Sequence, residues 1–403
     1  MTAPALNHVP TERNTSIEYL RSLAIGLTLI HHLNALFFWN DNSNSTLHHY
    51  ITFWGGVDLF FCISGYVIAL SVLHRIPSSL PAKYERAQTF AQFAVPFWIR
   101  RAWRLWPNAL LWVVIPGIGS LFFTQSGAFV PARTFMADGL AAVLHVANFH
   151  WNDCFNNHRG LCGFPTQVGV YWSLSLEEQF YFVFPFLAVL AGKRHLPWLL
   201  TAAIAIQFPI ERGAWAPGWG FRTDAICIGV FIALFTQSPT YQVLRPQFAQ
   251  KWQKRLVQSV LLGLLVALPA EPTIVRFSTG LMAIVCGLLV WIASYDTPPK
   301  PAEQTDILAR LTLWIASRSY SIYLIHMSAF AFTREIWFQL MPSGTQFNGH
   351  YTFRFALTAL ALMVLAVELS YRLVESPCRK KGSEIAKRME ERLKKGPAIS
   401  SSS

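Results

Sequence analysis

Phe53-Trp54-Gly55-Gly56-Val57-Asp58-Leu59-Phe60-Phe61-Cys62-Ile63-Ser64-Gly65-Tyr66-Val67-Ile68-Ala69-Leu70-Ser71-Val72-Leu73 carries one formal charge, on Asp58. An α-helix needs about 20 mostly apolar residues to cross the hydrocarbon core of a bilayer, and this stretch is long enough. Similar runs recur along the chain, separated by polar or proline-rich breaks. Of the 403 residues, 53% are hydrophobic and 13% charged, against about 25% charged in a soluble domain. A single soluble core rarely exceeds roughly 250–300 residues, so this apolar excess calls for lipid as solvent. The alternating strands of about 10 residues that mark a membrane barrel are missing. Helices are the other way to satisfy a backbone in lipid. The expected fold is therefore all-α, a polytopic transmembrane helix bundle of about ten spans. They are predicted near 18–40, 53–73, 104–124, 171–191, 196–211, 222–238, 256–270, 275–296, 312–333 and 351–373, with 196–211 and 256–270 the shortest.

The formal net charge is +12. The Lys and Arg residues fall at the ends of apolar runs, which is a topogenic pattern rather than a nucleic-acid surface. Arg100, Arg101 and Arg104 follow the second span and Lys193 and Arg194 the fourth. Arg245, Lys251, Lys254 and Arg255 follow the sixth, and Lys300 and Arg310 the eighth. All of them fall on one side if both termini are cytoplasmic. Counting 134–150 as a span would break that order, so it reads as an interfacial or re-entrant helix inside an outer loop over 125–170. Three regions result: a polar cytoplasmic leader (1–16), a transmembrane domain (17–375) and a basic cytoplasmic tail (376–403). The first apolar run is too long for a signal-peptide core and reads as a retained span. The tail reads as a surface helix, either on anionic lipid heads or simply solvated.

Cys154 and Cys162 lie in the outer loop, where nearby thiols commonly pair, and they form the disulfide candidate. A metal reading would add His145, His150 or His158, but the spacing fits no zinc pattern, so no metal is expected. Cys62, Cys227 and Cys286 lie in spans as small packing residues.

Charged groups inside a bilayer are costly and mark function by default. Arg21 and His32 stand eleven residues apart, close to three helical turns, on one stripe and about 16 Å apart along the axis. A neutral imidazole can take a proton from a hydroxyl, and an arginine can hold a phosphate or carboxylate; the plain alternative is a packing histidine. Glu18 is placed to pair with Arg21. Asp58 could fix an imidazole tautomer or pair with an arginine. The glycines around it suit close helix packing and are not a phosphate loop, since no P-loop lysine follows. Ser173 and Glu177 share a helix face at i, i+4, and Tyr171 and Trp172 fit interface anchors. Arg222 and Asp224 open the sixth span. His326 lies at a depth similar to His32 and reads either as a second polar group of the site or as a structural hydrogen bond. Arg101 and Arg104 share a face at i, i+3. An inner anion site and an outer acid–base site, joined along the first span, are therefore predicted.

Seven of these segments occur in an order that resembles the bacterial acyltransferase-3 family of integral membrane O-acyltransferases. They are Ile17 to Arg21 with His32 (the Arg-X10-His pattern), Gly55 to Tyr66, Arg100 to Pro107, Trp172 to Tyr181, Arg222 to Ala225, Ser319 to His326, and Ser370 to Pro377. Together they span about residues 17–379. Two departures stand out. Glu18 occupies a position where the family often has Asp, and Leu105-Trp106-Pro107 replaces its usual continuation of the arginine-rich motif. The resemblance implies transfer of an acyl group, expected to be acetyl, from cytoplasmic acyl-CoA to a hydroxyl of a cell-envelope glycan or another acceptor, in a bacterial cytoplasmic (inner) membrane. By carry-over, His32, Arg21, Glu177 and Asp58 are the catalytic candidates. Arg101 and Arg104 are the acyl-CoA candidates, and Ser173, Arg222, Asp224 and His326 the substrate-binding ones. Two other functions fit the same residues: a proton-coupled transporter or flippase of a glycan or lipid precursor, and an acyltransferase acting on a small secondary metabolite.

Overall fold

The computed structural model describes residues 14–39, 50–123, 125–157, 162–163, 166–213, 216–270, 275–296 and 306–395. Helices dominate and no strand occurs among these residues. In chain order they are α1 (Thr15–His31), α2 (Leu33–Leu36), α3 (Gly56–Val72), α4 (Arg86–Phe122), α5 (Ala132–Val143), α6 (Ala147–Asn157) and α7 (Tyr171–Gln207). There follow α8 (Asp224–Phe235), α9 (Pro239–Val243), α10 (Lys251–Ala267), α11 (Ser278–Ser294), α12 (Ile307–Leu340), α13 (Thr352–Ser370) and α14 (Ser376–Lys395). Helices occupy all ten stretches predicted as spans. Four helical stretches are long and apolar enough to cross a membrane by length and composition: Gly56–Arg75, Arg86–Phe122, Tyr171–Gln207 and Gly349–Lys394. α8 and α11 are shorter apolar helices.

α3 lies at the centre, packed on α1, α8 and α11. Its approach to α8 is backbone on backbone. A Cβ on Gly65 would come within 2.1 Å of the Ile226 carbonyl oxygen, and one on Gly229 within 2.0 Å of the Cys62 carbonyl oxygen. Two facing glycines let the helix axes close up in this way, as small residues do in membrane bundles.

Two predicted boundaries are corrected and a third is met. The run 18–40 is not one helix, because α1 stops at His31 and the backbone turns at His32 (φ −96°, ψ 5°) before the short α2. The arginine cluster is not in a loop before a span at 104–124. α4 begins at Arg86 and carries Arg100, Arg101 and Arg104 in mid-helix, with Pro96, Pro107 and Pro116 inside it. The runs 171–191 and 196–211, predicted as separate spans, are two helical arms within α7 parted by a kink at Gly192, whose φ of +62° favours glycine. There the chain turns against residues 77–79, with Lys193 N–H donating to Pro77 O at 2.8 Å. The outer segment folds as two helices, α5 and α6, joined through His145 at a φ of +55°.

The basic tail also packs as part of the bundle. α13 passes through a π-helical turn (Tyr371–Glu375) directly into α14, which lies along α4. Gly382 sits on the Trp103 side chain, and Glu390 bonds both Arg75 and Arg100. Burial works against the Glu390 carboxylate, but the bonds from Arg75 and Arg100 outweigh it and hold its pKa below the ordinary carboxylate value. The π turn is tied inward by a buried polar chain. Ser321 Oγ donates to Glu375 Oε2 at 2.6 Å, Asn108 Nδ2 to Ser321 Oγ at 3.1 Å and Trp112 Nε1 to Ser370 Oγ at 3.0 Å. Ser370 closes the chain on Asn108 Oδ1. Each buried polar group finds its partner here, which locks α4, α12 and α13 in register.

Candidate active site

Two cavities lie along α1, meeting at Val57 and Tyr323, which line both. One is a narrow cleft of about 90 Å³ at the end of the bundle that carries the start of α1; Arg21, Arg101 and Arg104 line it. The other, about 400 Å³, lies toward the opposite end and is lined by His32. Its volume falls in the range of ordinary ligand sites.

In the cleft, Arg21 Nη1 pairs with Glu18 at 2.9 Å, the pairing predicted from their i, i+3 spacing. The Arg101 guanidinium stands over the Tyr181 and Phe97 rings at 5.5 and 5.8 Å, within cation–π range. Glu177 lines the cleft and accepts from Ser64 Oγ and Tyr181 OH. Tyr323 OH donates to Val170 O at 3.0 Å and lies 2.6 Å from Ser173 Oγ. Ser173 thus marks the wall between the two cavities. Trp106 Nε1 donates to Glu178 at 3.2 Å, which places that carboxylate in a separate contact.

The histidine end is defined by one pair of rings. His32 Nδ1 lies 2.9 Å from Thr28 O, and His326 Nδ1 lies 2.8 Å from Tyr323 O. A carbonyl oxygen only accepts, so in the neutral rings Nδ1 carries the hydrogen on both. His326 Nε2 then turns its lone pair toward His32 Nδ1, 3.4 Å away. The remaining nitrogen of His32, Nε2, is a free base on a ring that lines the larger cavity. Around it stand Trp54, Trp151, Trp172 and Trp219, with Asn34 and Thr166 as polar points. Trp172 and Trp219 lie with ring centroids 4.6 Å apart.

Asp58 and Glu177 do not touch the imidazole; a backbone carbonyl and a second histidine hold it. Asp58 pairs instead with Arg222, and both side chains are fully buried. The Arg222 guanidinium also lies 4.2 Å from the Trp54 ring centroid. Asp224 pairs with Arg212 at 2.8 Å, again without exposure. None of these four charges lines either cavity. Arg222 and Asp224, the substrate-binding candidates, are thus placed in buried ion pairs outside both linings, a placement hidden in the sequence because Asp58 and Arg222 are 164 residues apart. Tyr171 is a buried packing residue, its hydroxyl bonded to Ala109 O at 2.8 Å, and Trp172 is a cavity wall. Reading from sequence overlooked Thr28, Asn108 and the tryptophans 54, 151 and 219. Only the tryptophans carried a signal, as large aromatics flanking the polar motifs.

Cys154 and Cys162 are joined in a disulfide with a Cα–Cα distance of 6.0 Å. His150 lies within 4.8 Å of both sulfurs and bonds Asp138 at 2.8 Å. With both sulfurs consumed by the bond, the thiolates a metal would need are absent. His158 lies outside the described residues, as do Lys300 and most of the leader.

The family model described as an acyltransferase domain matches residues 14–372. Among curated relatives, the peptidoglycan O-acetyltransferase OatA of Listeria monocytogenes is 27% identical, over 91% of this chain and 56% of its own length. The O-acetyltransferase OatA of Staphylococcus aureus is 26% identical, over 91% and 57%. A putative peptidoglycan O-acetyltransferase of Bacillus subtilis, YrhL, is 21% identical, over 91% and 55%. The chain thus spans a little over half the length of these relatives. No solved structure matches it. With the matched segment running through the arginine cleft, the histidine pair and every helix between them, the chain belongs to the acyltransferase-3 family of membrane proteins.

Proposed function

We propose that the chain is a membrane O-acyltransferase with ten spans and both termini cytoplasmic. It moves an acetyl group from cytoplasmic acetyl-CoA to a hydroxyl of a cell-wall glycan. The observation that carries this reading is the order along α1: a cationic cleft at one end, a free imidazole nitrogen at the other, and a shared wall between them. Three arginines line the cleft against one lining acid, Glu177, with Glu18 paired to Arg21, a cationic excess that suits the phosphates of a CoA carrier. The rise from Arg21 to His32 is about 16 Å, a distance that a flexible thioester arm can bridge.

In the transfer step the acceptor hydroxyl attacks the thioester carbonyl while His32 Nε2 takes its proton. The new ester C–O bond forms, the C–S bond breaks, and the thiolate leaves. The proton held on His32 then passes to the sulfur, which releases free CoA and restores the base. Thr28 O accepts from His32 Nδ1–H throughout, with His326 Nε2 at 3.4 Å as the longer second acceptor. These bonds strengthen when the ring is cationic, so they favour the protonated form at the moment of attack. The tryptophan walls of the larger cavity offer flat apolar faces for sugar rings, and Asn34 and Thr166 offer hydrogen bonds, the usual composition of a small-molecule site. The similarity to the peptidoglycan O-acetyltransferase of Listeria monocytogenes supports the choice of a wall glycan.

The test is mass spectrometry of envelope glycans from cells with and without this chain. One acetyl mass gained per modified sugar, lost with His32→Ala, is the expected result. Unchanged glycans would overturn the assignment of acceptor. Flux of an unmodified glycan across the membrane would point to the transporter reading.

A further inference from the structure

A third hollow, of about 530 Å³, opens between α1, α10 and α11. It lies at the end of the bundle that carries Arg21, on the side of α1 away from the cleft. Its two ends differ in chemistry. Lys251, Lys254 and Arg255 rim it, and Leu23, Leu262 and Leu289 line its depth. A smaller hollow of about 230 Å³ adjoins it, shares Lys251 and Lys254, and adds Arg245.

The one carboxylate at this rim, Asp296, is already engaged: Lys254 Nζ lies 2.5 Å from Oδ1 and Ser16 Oγ donates to Oδ2 at 2.7 Å. Lys251 and Arg255 are exposed and share a helix face at i, i+4. Among the described residues neither is paired with a carboxylate. The outer face of the same helix is apolar and exposed, with Leu256 at 54%, Val260 at 54% and Leu264 at 41%, as a face turned to hydrocarbon should be. A cationic rim over an apolar slot between helices, beside a lipid-facing surface, matches a molecule with one anionic head and long tails.

We propose that this groove binds an anionic phospholipid. Its phosphate sits between Lys251 and Arg255, and one acyl chain lies against Leu23, Leu262 and Leu289. The site is independent of the transferase chemistry, because none of these residues lines the cleft or the histidine cavity. Free phosphate meets the rim but not the slot, and a zwitterionic lipid fills the slot but brings its own cation to the rim.

The experiment uses the full chain, stripped of lipid in detergent and titrated with phosphatidylglycerol or phosphatidylcholine, with retained lipid counted by native mass spectrometry. One phosphatidylglycerol per chain is expected, with phosphatidylcholine retained far less. Lys251→Gln with Arg255→Gln should weaken phosphatidylglycerol roughly 30-fold, at about 1 kcal/mol per cation. Lys387→Gln with Arg388→Gln, on the exposed face of α14, should leave it unchanged. Inorganic phosphate at millimolar concentration should not displace the lipid. On the unaltered chain, a photoactivatable phosphatidylglycerol should label peptides from α1, α10 and α11. Equal retention by the Lys251/Arg255 variant, equal retention of the two lipids, displacement by phosphate alone, or labelling confined to α14 would each overturn the site.

Discussion

The buried pair Asp58–Arg222 allows a sharp separation of architecture from chemistry. Asp58 lies in the same motif as residues that line the cleft, yet it bonds Arg222 and no histidine. Replacing Asp58 by Leu leaves the Arg222 cation buried without its counter-charge. Breaking a buried pair from one side costs about 3–5 kcal/mol. The Trp54 ring at 4.2 Å softens that cost but cannot cancel it, since a cation–π contact is worth about 0.5–2 kcal/mol. Unfolding entropy runs at about 2.1 cal/mol/K per residue. For 403 residues that gives about 0.85 kcal/mol/K, and a midpoint lowered by about 4–6 °C. The double variant Asp58→Leu, Arg222→Met removes both charges and should regain at least half of the loss. A fluorogenic thiol dye in detergent reads the transition, because Cys62, Cys227 and Cys286 are buried in the folded chain. The double variant should also regain acyl transfer along with its fold. A single variant as stable as the parent would refute the pair's role. A double variant that is stable but inactive would refute the claim that Asp58 serves architecture alone.

Arg101→Ala with Arg104→Ala should raise KM for acetyl-CoA at least 10-fold and change acceptor KM little, as steady-state kinetics with each substrate varied would show; removal of two phosphate-binding cations predicts no less. Gly65→Val should abolish assembly of α3 on α8, since a Cβ there meets the backbone oxygen of Ile226 at 2.1 Å and a backbone cannot step aside; the yield of monodisperse protein from membranes measures it. For Glu390, the folded pKa is depressed, so its contribution to α14 docking is fully present above the unfolded carboxylate value and is lost as pH falls through the folded one. Limited proteolysis should therefore release the tail only below about pH 4, and Glu390→Gln should loosen it already at neutral pH.

Much of this architecture was readable in the chain because lipid imposes a simple length rule. Every stretch predicted as a span is helical, and the disulfide followed from two thiols eight residues apart. The pairing of Glu18 with Arg21 was legible because it is local. What the sequence concealed depends on long-range contact or on a break in regular geometry. A helical wheel cannot show that α1 stops at His31, nor that the turn at His32 aims its Nδ1 at Thr28. The partner of His32 stands 294 residues away, at His326. The partner of Asp58 was open for the same reason, and so was the docking of α14 on α4. Arg101 and Arg104 were expected to share a face, and both line the cleft; that they do so from mid-helix depends on α4 continuing through its prolines.

The central claim is that one imidazole, charged with the acceptor's proton, completes a transfer begun at the arginine cleft. Purified chain in oriented vesicles, given labelled acetyl-CoA at the arginine side and peptidoglycan fragments at the other, tests it directly. The unaltered protein should place label on the glycan. His32→Ala should bind acetyl-CoA with the same affinity and form no labelled ester. Full turnover by His32→Ala would contradict the account.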